Sequence, residues 1–236
     1  MHTHFAQPEL DLGFEAPSLA MRRYREAVAR LPKHNVLFFV LTRPDGSASR
    51  WTLDIAPPGG PLDRETLRLA ERVAKLLIWA HGGNRLWVAG SPEVARHLQN
   101  VYRPGGARAF DVQLMAQAYL LPFEVLAVTD AELPPVHDVV TPAGGHWDGC
   151  RLGFDLGASD FKLAAVRDGE PVFTAEIPWD PKNASDPAYH FSKIMAGLRE
   201  AAAHLPRVDA IGGSSAGVIV DNEPRLGSLF RSVSAE

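Results

Sequence analysis

Arg151-Leu152-Gly153-Phe154-Asp155-Leu156-Gly157-Ala158-Ser159-Asp160-Phe161-Lys162 reads as a strand, a glycine turn and the start of a returning strand. An acid, a glycine, a hydroxyl and a lysine fall between and beside the two strands. Each residue type has a role where a nucleotide sits. Gly157 lets backbone N–H groups approach phosphate oxygens, with Ala158 beside it in the turn; Ser159 adds a hydroxyl donor and Lys162 a cation. Asp155, at the strand end, is suited to hold Mg²⁺ through its water shell.

Working outward, the returning strand 162–167 meets the turn Asp168-Gly169, followed by a strand at 171–177. Asp186-Pro187 opens a helix to about His204, and 208–212 is again a strand. Upstream, Ser18 is placed to cap a helix over 19–31, and 36–41 with 50–55 form a hairpin across Pro44-Asp45-Gly46. Asp63 is placed to cap a helix whose Leu67, Ala70, Val73, Ala74, Leu77 and Ile78 share a face and which ends at Gly82-Gly83. A strand at 85–89, helices at 93–101 and 111–120 and a strand at 124–129 complete the first part.

Residues 130–148, with Pro134, Pro135, Pro142, Gly144 and Gly145, have linker composition. The expected domains are therefore 1–140, including linker, and 150–236. Their punctuation aligns at a constant offset of 123 residues, Asp45-Gly46 on Asp168-Gly169 and Gly90-Ser91 on Gly213-Ser214. On this alignment 34–91 and 157–214 are two copies of a hairpin-helix-strand unit.

The pattern Asp155-x-Gly157-x-Ser159-x-x-Lys162 resembles the first phosphate loop of the actin, Hsp70 and sugar-kinase superfamily, and within it the ROK group of bacterial sugar kinases and regulators. The resemblance covers about 150–233 and includes Asp209 to Gly217. It implies an α/β fold, an actin-like (ribonuclease H-like) ATPase lobe, with ATP and Mg as cofactors and a carbohydrate as substrate. It also implies a catalytic role for Asp155 and a substrate-side loop at Gly213, Ser214 and Ser215. The ROK pattern has Gly-Gly-Thr-Lys after the acid, whereas Asp160 stands here before the lysine. Members continue into a second lobe, so this chain alone is expected to be inactive, with a second chain as the source of the missing lobe. The rival expectation is a non-catalytic sugar-sensing or interaction module on the same lobe.

Other function classes are disfavoured by composition. The net charge is −4 with a pI near 6.1, and no basic block is present to attract nucleic acid. One cysteine and no signal-like N-terminus give a cytoplasmic expectation, and no apolar run approaches membrane length. Gly213-Ser214-Ser215-Ala216-Gly217 fits the hydrolase Gly-x-Ser-x-Gly elbow, but 218–220 reads as strand and no histidine follows His204. The nine histidines lack ligand spacing. Asp186, Tyr189 and His190 lie where a substrate contact is conceivable, although capping by Asp186 accounts for part of that cluster.

Overall fold

The computed structural model describes residues 10–11, 14–137 and 145–234. The chain divides into two units, Met1–Val139 and Val140–Glu236. Part of the expected linker, 138–144, lies outside the described residues. The fold is α/β, with one mixed four-stranded sheet in each unit. Among the described residues no helix is long and apolar enough to cross a membrane.

The first unit runs α1 (Pro17–Ala29), β1 (Asn35–Thr42), β2 (Ala48–Ile55), α2 (Asp63–His81), β3 (Arg85–Ala89), α3 (Pro92–Val101), α4 (Ala109–Tyr119) and β4 (Glu124–Ala127). The sheet order is β2-β1-β3-β4. β1 is antiparallel to both neighbours, and β3 is parallel to β4. Leu37, Phe39 and Leu41 of β1 pack with Ala70, Ala74, Leu77 and Ile78 of α2 in one core. Each large aliphatic side chain so buried contributes roughly 1.5–3 kcal/mol. Leu67 and Val73, expected on the same face, are only partly buried.

In the first unit one helix start carries a side-chain cap, and the two expected at Ser18 and Asp63 do not. Ser91 caps α3 by accepting from the Val94 N–H at 3.3 Å. α1 begins one residue before Ser18, at Pro17, whose fixed φ suits the first helical position. The Asp63 carboxylate accepts from Gly59 and Gly60, at 2.9 and 3.2 Å, so it ties down the preceding loop instead of capping its own helix.

The second unit runs β5 (Cys150–Leu156), β6 (Asp160–Arg167), β7 (Glu170–Pro178), α5 (Pro187–Ala202), β8 (Ala210–Ser215) and a separate hairpin, β9 (Val218–Val220) with β10 (Glu223–Leu226). Asp168 and Gly169 both have positive φ, 51° and 87°, as a tight hairpin turn requires. Asp186 caps α5 through the Ala188 N–H at 2.8 Å. α5 places Leu198 and Ala201 in the core formed by Leu152, Leu156, Phe161, Leu163 and Ala165.

The second sheet has the order β7-β6-β5-β8, with β5 antiparallel to β6, β6 antiparallel to β7, and β5 parallel to β8. Three antiparallel strands, a helix and a fourth strand beside and parallel to the first make the arrangement expected of an actin-like lobe. The repeat holds for element order, since β1, β2, α2 and β3 correspond to β6, β7, α5 and β8. Direct superposition of 34–91 on 157–214 nevertheless fails at one place. β5 separates β6 from β8, whereas β1 and β3 are direct neighbours. The aligned dipeptides report where the chain turns and carry no information on which strands are adjacent.

Candidate phosphate-binding site

Side chains alternate across a strand, so Leu152, Phe154 and Leu156 face the core of the second unit while Gly153 and Asp155 face away. Register then sets a row of polar side chains across all four strands. Asp155 lies opposite Lys162 and Ser214, and Lys162 lies opposite Glu176. The Ser214 hydroxyl donates to Asp155 Oδ1 across the parallel pair. The two sequence motifs, 59 residues apart, thus meet at one point.

The expected substrate-side loop is a strand. Gly213, Ser214 and Ser215 belong to β8 because backbone pairing with β5 straightens a sequence of loop-like composition. A side chain at Gly213 would come within 2.1 Å of the Phe154 ring, so glycine permits the close packing there. Ser215 Oγ is buried without a hydrogen-bond partner. The element directly after Ser215 is the strand β9 where the hydrolase elbow needs a helix, which disposes of that reading.

Gly157, Ala158 and Ser159 form the turn between β5 and β6, with Ala158 and Ser159 exposed. A Cβ on Gly157 would lie 2.5 Å from the backbone oxygen of Asp160, so turn closure alone already calls for glycine. Trp179 straps this turn from behind. Its indole N–H donates to the Gly157 carbonyl at 2.9 Å and its backbone N–H to the Ser159 carbonyl at 3.0 Å. The ring is buried edge-on to Phe161, centroids 5.1 Å apart.

Within the turn, Lys162 Nζ donates to Asp160 Oδ1 and Ser159 Oγ to Asp160 Oδ2, both at 2.8 Å. The hydrogen bonds from Lys162 and Ser159 hold the Asp160 carboxyl below the usual carboxylate range. The same bond to Asp160, then the charges of Asp160, Glu176 and Asp155, hold the Lys162 ammonium above the usual lysine range. Both phosphate donors expected from sequence are therefore engaged by Asp160, which an incoming phosphate would have to displace.

An open groove of about 510 Å³ lies along this row, bordered by Asp155, Lys162 and Glu176 with Gly153, Ala164 and Thr174 beside them. Three carboxyl groups, of Asp155, Asp160 and Glu176, surround one ammonium. A bare polyanion gains little here. Among the described residues no group of three or more His, Cys, Asp or Glu is arranged to hold a metal ion directly. The donor set does fit Mg²⁺ arriving with a phosphate ligand, because that ion keeps several waters and commonly takes one carboxylate plus phosphate oxygens.

Asp160 and Glu176 become relevant only through register and hydrogen bonding, and Trp179 only through tertiary contact. The cluster of Asp186, Tyr189 and His190 is accounted for structurally. Tyr189 Oη accepts from the Asp180 N–H at 2.9 Å, and buried His190 contacts the Pro181 carbonyl at 2.9 Å and sits among Trp179, Tyr189 and Phe230.

No family model matches the sequence, and no curated protein matches it. Among solved structures, an exopolyphosphatase from Cytophaga hutchinsonii ATCC 33406 aligns with 75% of this chain at 12% identity and a TM-score of 0.22. The aligned part spans 63% of that protein's length.

Proposed function

We propose that the second unit is a phosphate-binding lobe of actin-like type that takes a nucleotide or polyphosphate as its magnesium complex. The observation supporting this is the meeting of Asp155, the 157–162 turn and Ser214 at the C-terminal ends of the parallel strands β5 and β8. In open α/β sheets ligands bind at that end. Asp155 would hold the magnesium ion through water, and the ion would offset phosphate charge beside three carboxyl groups. Ser159, Lys162 and the turn amides would then bind phosphate oxygens, with Lys162 transferring its hydrogen bond from Asp160 to the ligand.

Transfer of the γ-phosphoryl of ATP to a carbohydrate hydroxyl, as in ROK kinases, is the narrower form of the proposal and rests on the motif resemblance. One observation favours the non-catalytic rival. Asp160 already satisfies Ser159 and Lys162, as it would in a purely structural turn.

Titration of Mg-ATP, Mg-pyrophosphate and magnesium-free pyrophosphate, followed by NMR, separates these readings. Binding in the millimolar range, about 4 kcal/mol, is expected for a single lobe. The magnesium complexes should shift residues 155–162 and Ser214, free pyrophosphate much less, and Lys162→Ala or Asp155→Asn should weaken the response. No shift near Gly157, or equal shifts in wild type and variants, would remove the phosphate reading. A hexose panel with Mg-ATP tests the narrower form.

A further inference from the structure

Asp160, Lys162 and Ala164 share one face of β6, and Lys162 and Ala164 border the groove. The Asp160 carboxylate commits both oxygens to the side-chain donors of the turn, Oδ1 to the Lys162 ammonium and Oδ2 to the Ser159 hydroxyl, each at 2.8 Å. Two oxygens of a phosphate would use the same two donors.

Neither the closure of the turn nor the charge of Lys162 calls for this carboxylate. The ladder between β5 and β6 runs as far as Leu156 opposite Phe161, Asp160 lies opposite Pro178 of β7, and Trp179 holds the Gly157 and Ser159 carbonyls. None of these contacts uses the Asp160 side chain. Lys162 already stands between Asp155 on β5 and Glu176 on β7, whose two carboxyl groups suffice to balance one ammonium. The side chains of Asp160 and Lys162 are 24% and 57% exposed, so their contact can open without uncovering the core.

We propose that Asp160 is an internal competitor for the phosphate donors and thereby the residue that restricts the site to magnesium complexes. The proposal rests on the phosphate reading of the turn and names what controls access to it. A free polyanion has to displace one carboxylate and then lie beside three. A magnesium complex of the same anion carries less negative charge into that row and is opposed less. Selectivity of this kind comes from a repulsive element set against the wrong ligand, in addition to contacts with the right one.

The test titrates pyrophosphate, with and without magnesium, into the full chain and into Asp160→Asn, with amides 155–162 and Ser214 followed by NMR at fixed ionic strength. Asparagine keeps the size of the side chain and one carbonyl acceptor while removing the charge, so the turn is retained. One unit charge a few ångström from another changes binding in water by about fivefold. The free anion, which carries the larger charge, should gain about fivefold or more in Asp160→Asn and the magnesium complex less, so that the preference for magnesium narrows. Asp160→Ala should act in the same direction. Glu176→Gln removes a charge from the same row but leaves Asp160 on both donors, and its gain should be smaller. Equal affinity of wild type and Asp160→Asn for free pyrophosphate, or a gain no larger than that of Glu176→Gln, overturns the competitor and leaves the phosphate reading standing. A selective loss of magnesium pyrophosphate binding in Asp160→Asn also overturns it, by making Asp160 a partner of the metal ion. No shift at 155–162 in any of the four proteins removes the phosphate reading and this proposal together.

Discussion

Replacing Trp179 by phenylalanine should loosen the 157–159 turn without emptying the core beneath it. The benzene ring can keep the edge contact with Phe161, and the backbone N–H still donates to the Ser159 carbonyl. The one bond lost runs from the indole N–H to the Gly157 carbonyl, 2.9 Å long and partly buried. A neutral hydrogen bond of this kind is worth about 1 kcal/mol net, and the smaller ring adds some loss of packing. Trp179→Ala, by contrast, removes a ring that is 7% exposed and should cost about 3–5 kcal/mol. For a unit of about 100 residues, 1 kcal/mol corresponds to roughly 4–8 °C in Tm. Urea unfolding followed by NMR signals of the second unit measures both variants. Trp179→Phe should also weaken the Mg-pyrophosphate response at 155–160 more than Leu152→Val, a core change of similar cost. A phenylalanine variant as stable as wild type, or as unstable as the alanine variant, would refute the strap.

The Lys162–Asp160 contact predicts a pH dependence with opposite signs at its two ends. The Asp160 contribution is present above its unfolded value near 3.8 and is lost as pH falls through the lower folded value. The Lys162 contribution is present below 10.5 and is lost as pH rises through the raised folded value. NMR titration of the Asp160 carboxyl should give a midpoint below 3.8 that moves up in Lys162→Ala and in high salt. Gly157→Ala should destabilise the second unit by about 1–3 kcal/mol, because its Cβ meets a backbone oxygen, while Gly212→Ala, in open space, should change stability far less. Thermal melts of the pair decide it. In the first unit, Lys75→Met should cost about 3–5 kcal/mol in urea unfolding, since it leaves the 2%-exposed Asp111 carboxyl with Trp79 as its remaining partner. Asp111→Ala should cost less, because Lys75 can turn to water.

Much of this architecture is legible in local chemistry. The hairpin of β1 and β2, the amphipathic face of α2, the Ser91 and Asp186 caps and the Asp168-Gly169 turn each follow from residues within a few positions of one another. The remaining features depend on long-range pairing. Gly213-Ser214-Ser215 has loop composition, and only pairing with β5 makes it a strand. The Glu176, Lys162, Asp155 and Ser214 row requires register across four strands, which no single segment encodes. Asp160 departs from the phosphate-loop pattern, and its place is that of the acceptor for Ser159 and Lys162. Trp179 gave no periodicity signal because its partners are two carbonyl groups some 20 positions upstream.

The clasp between Asp155 and Ser214 also bears on the order in which the candidate site assembles. β5, β6 and β7 are joined by tight turns, so the phosphate turn needs only local contacts to form. β8 can dock beside β5 only after the intervening hairpin and α5 have brought it back, closing a separation of 59 residues. Until then the turn exists but its acid lacks the serine beside it. A ligand that requires both strands binds only the finished sheet, and binding draws the equilibrium toward that last step. Refolding with and without Mg-pyrophosphate should accordingly leave the early hairpin phase unchanged and raise the final population of chains in which β8 is docked.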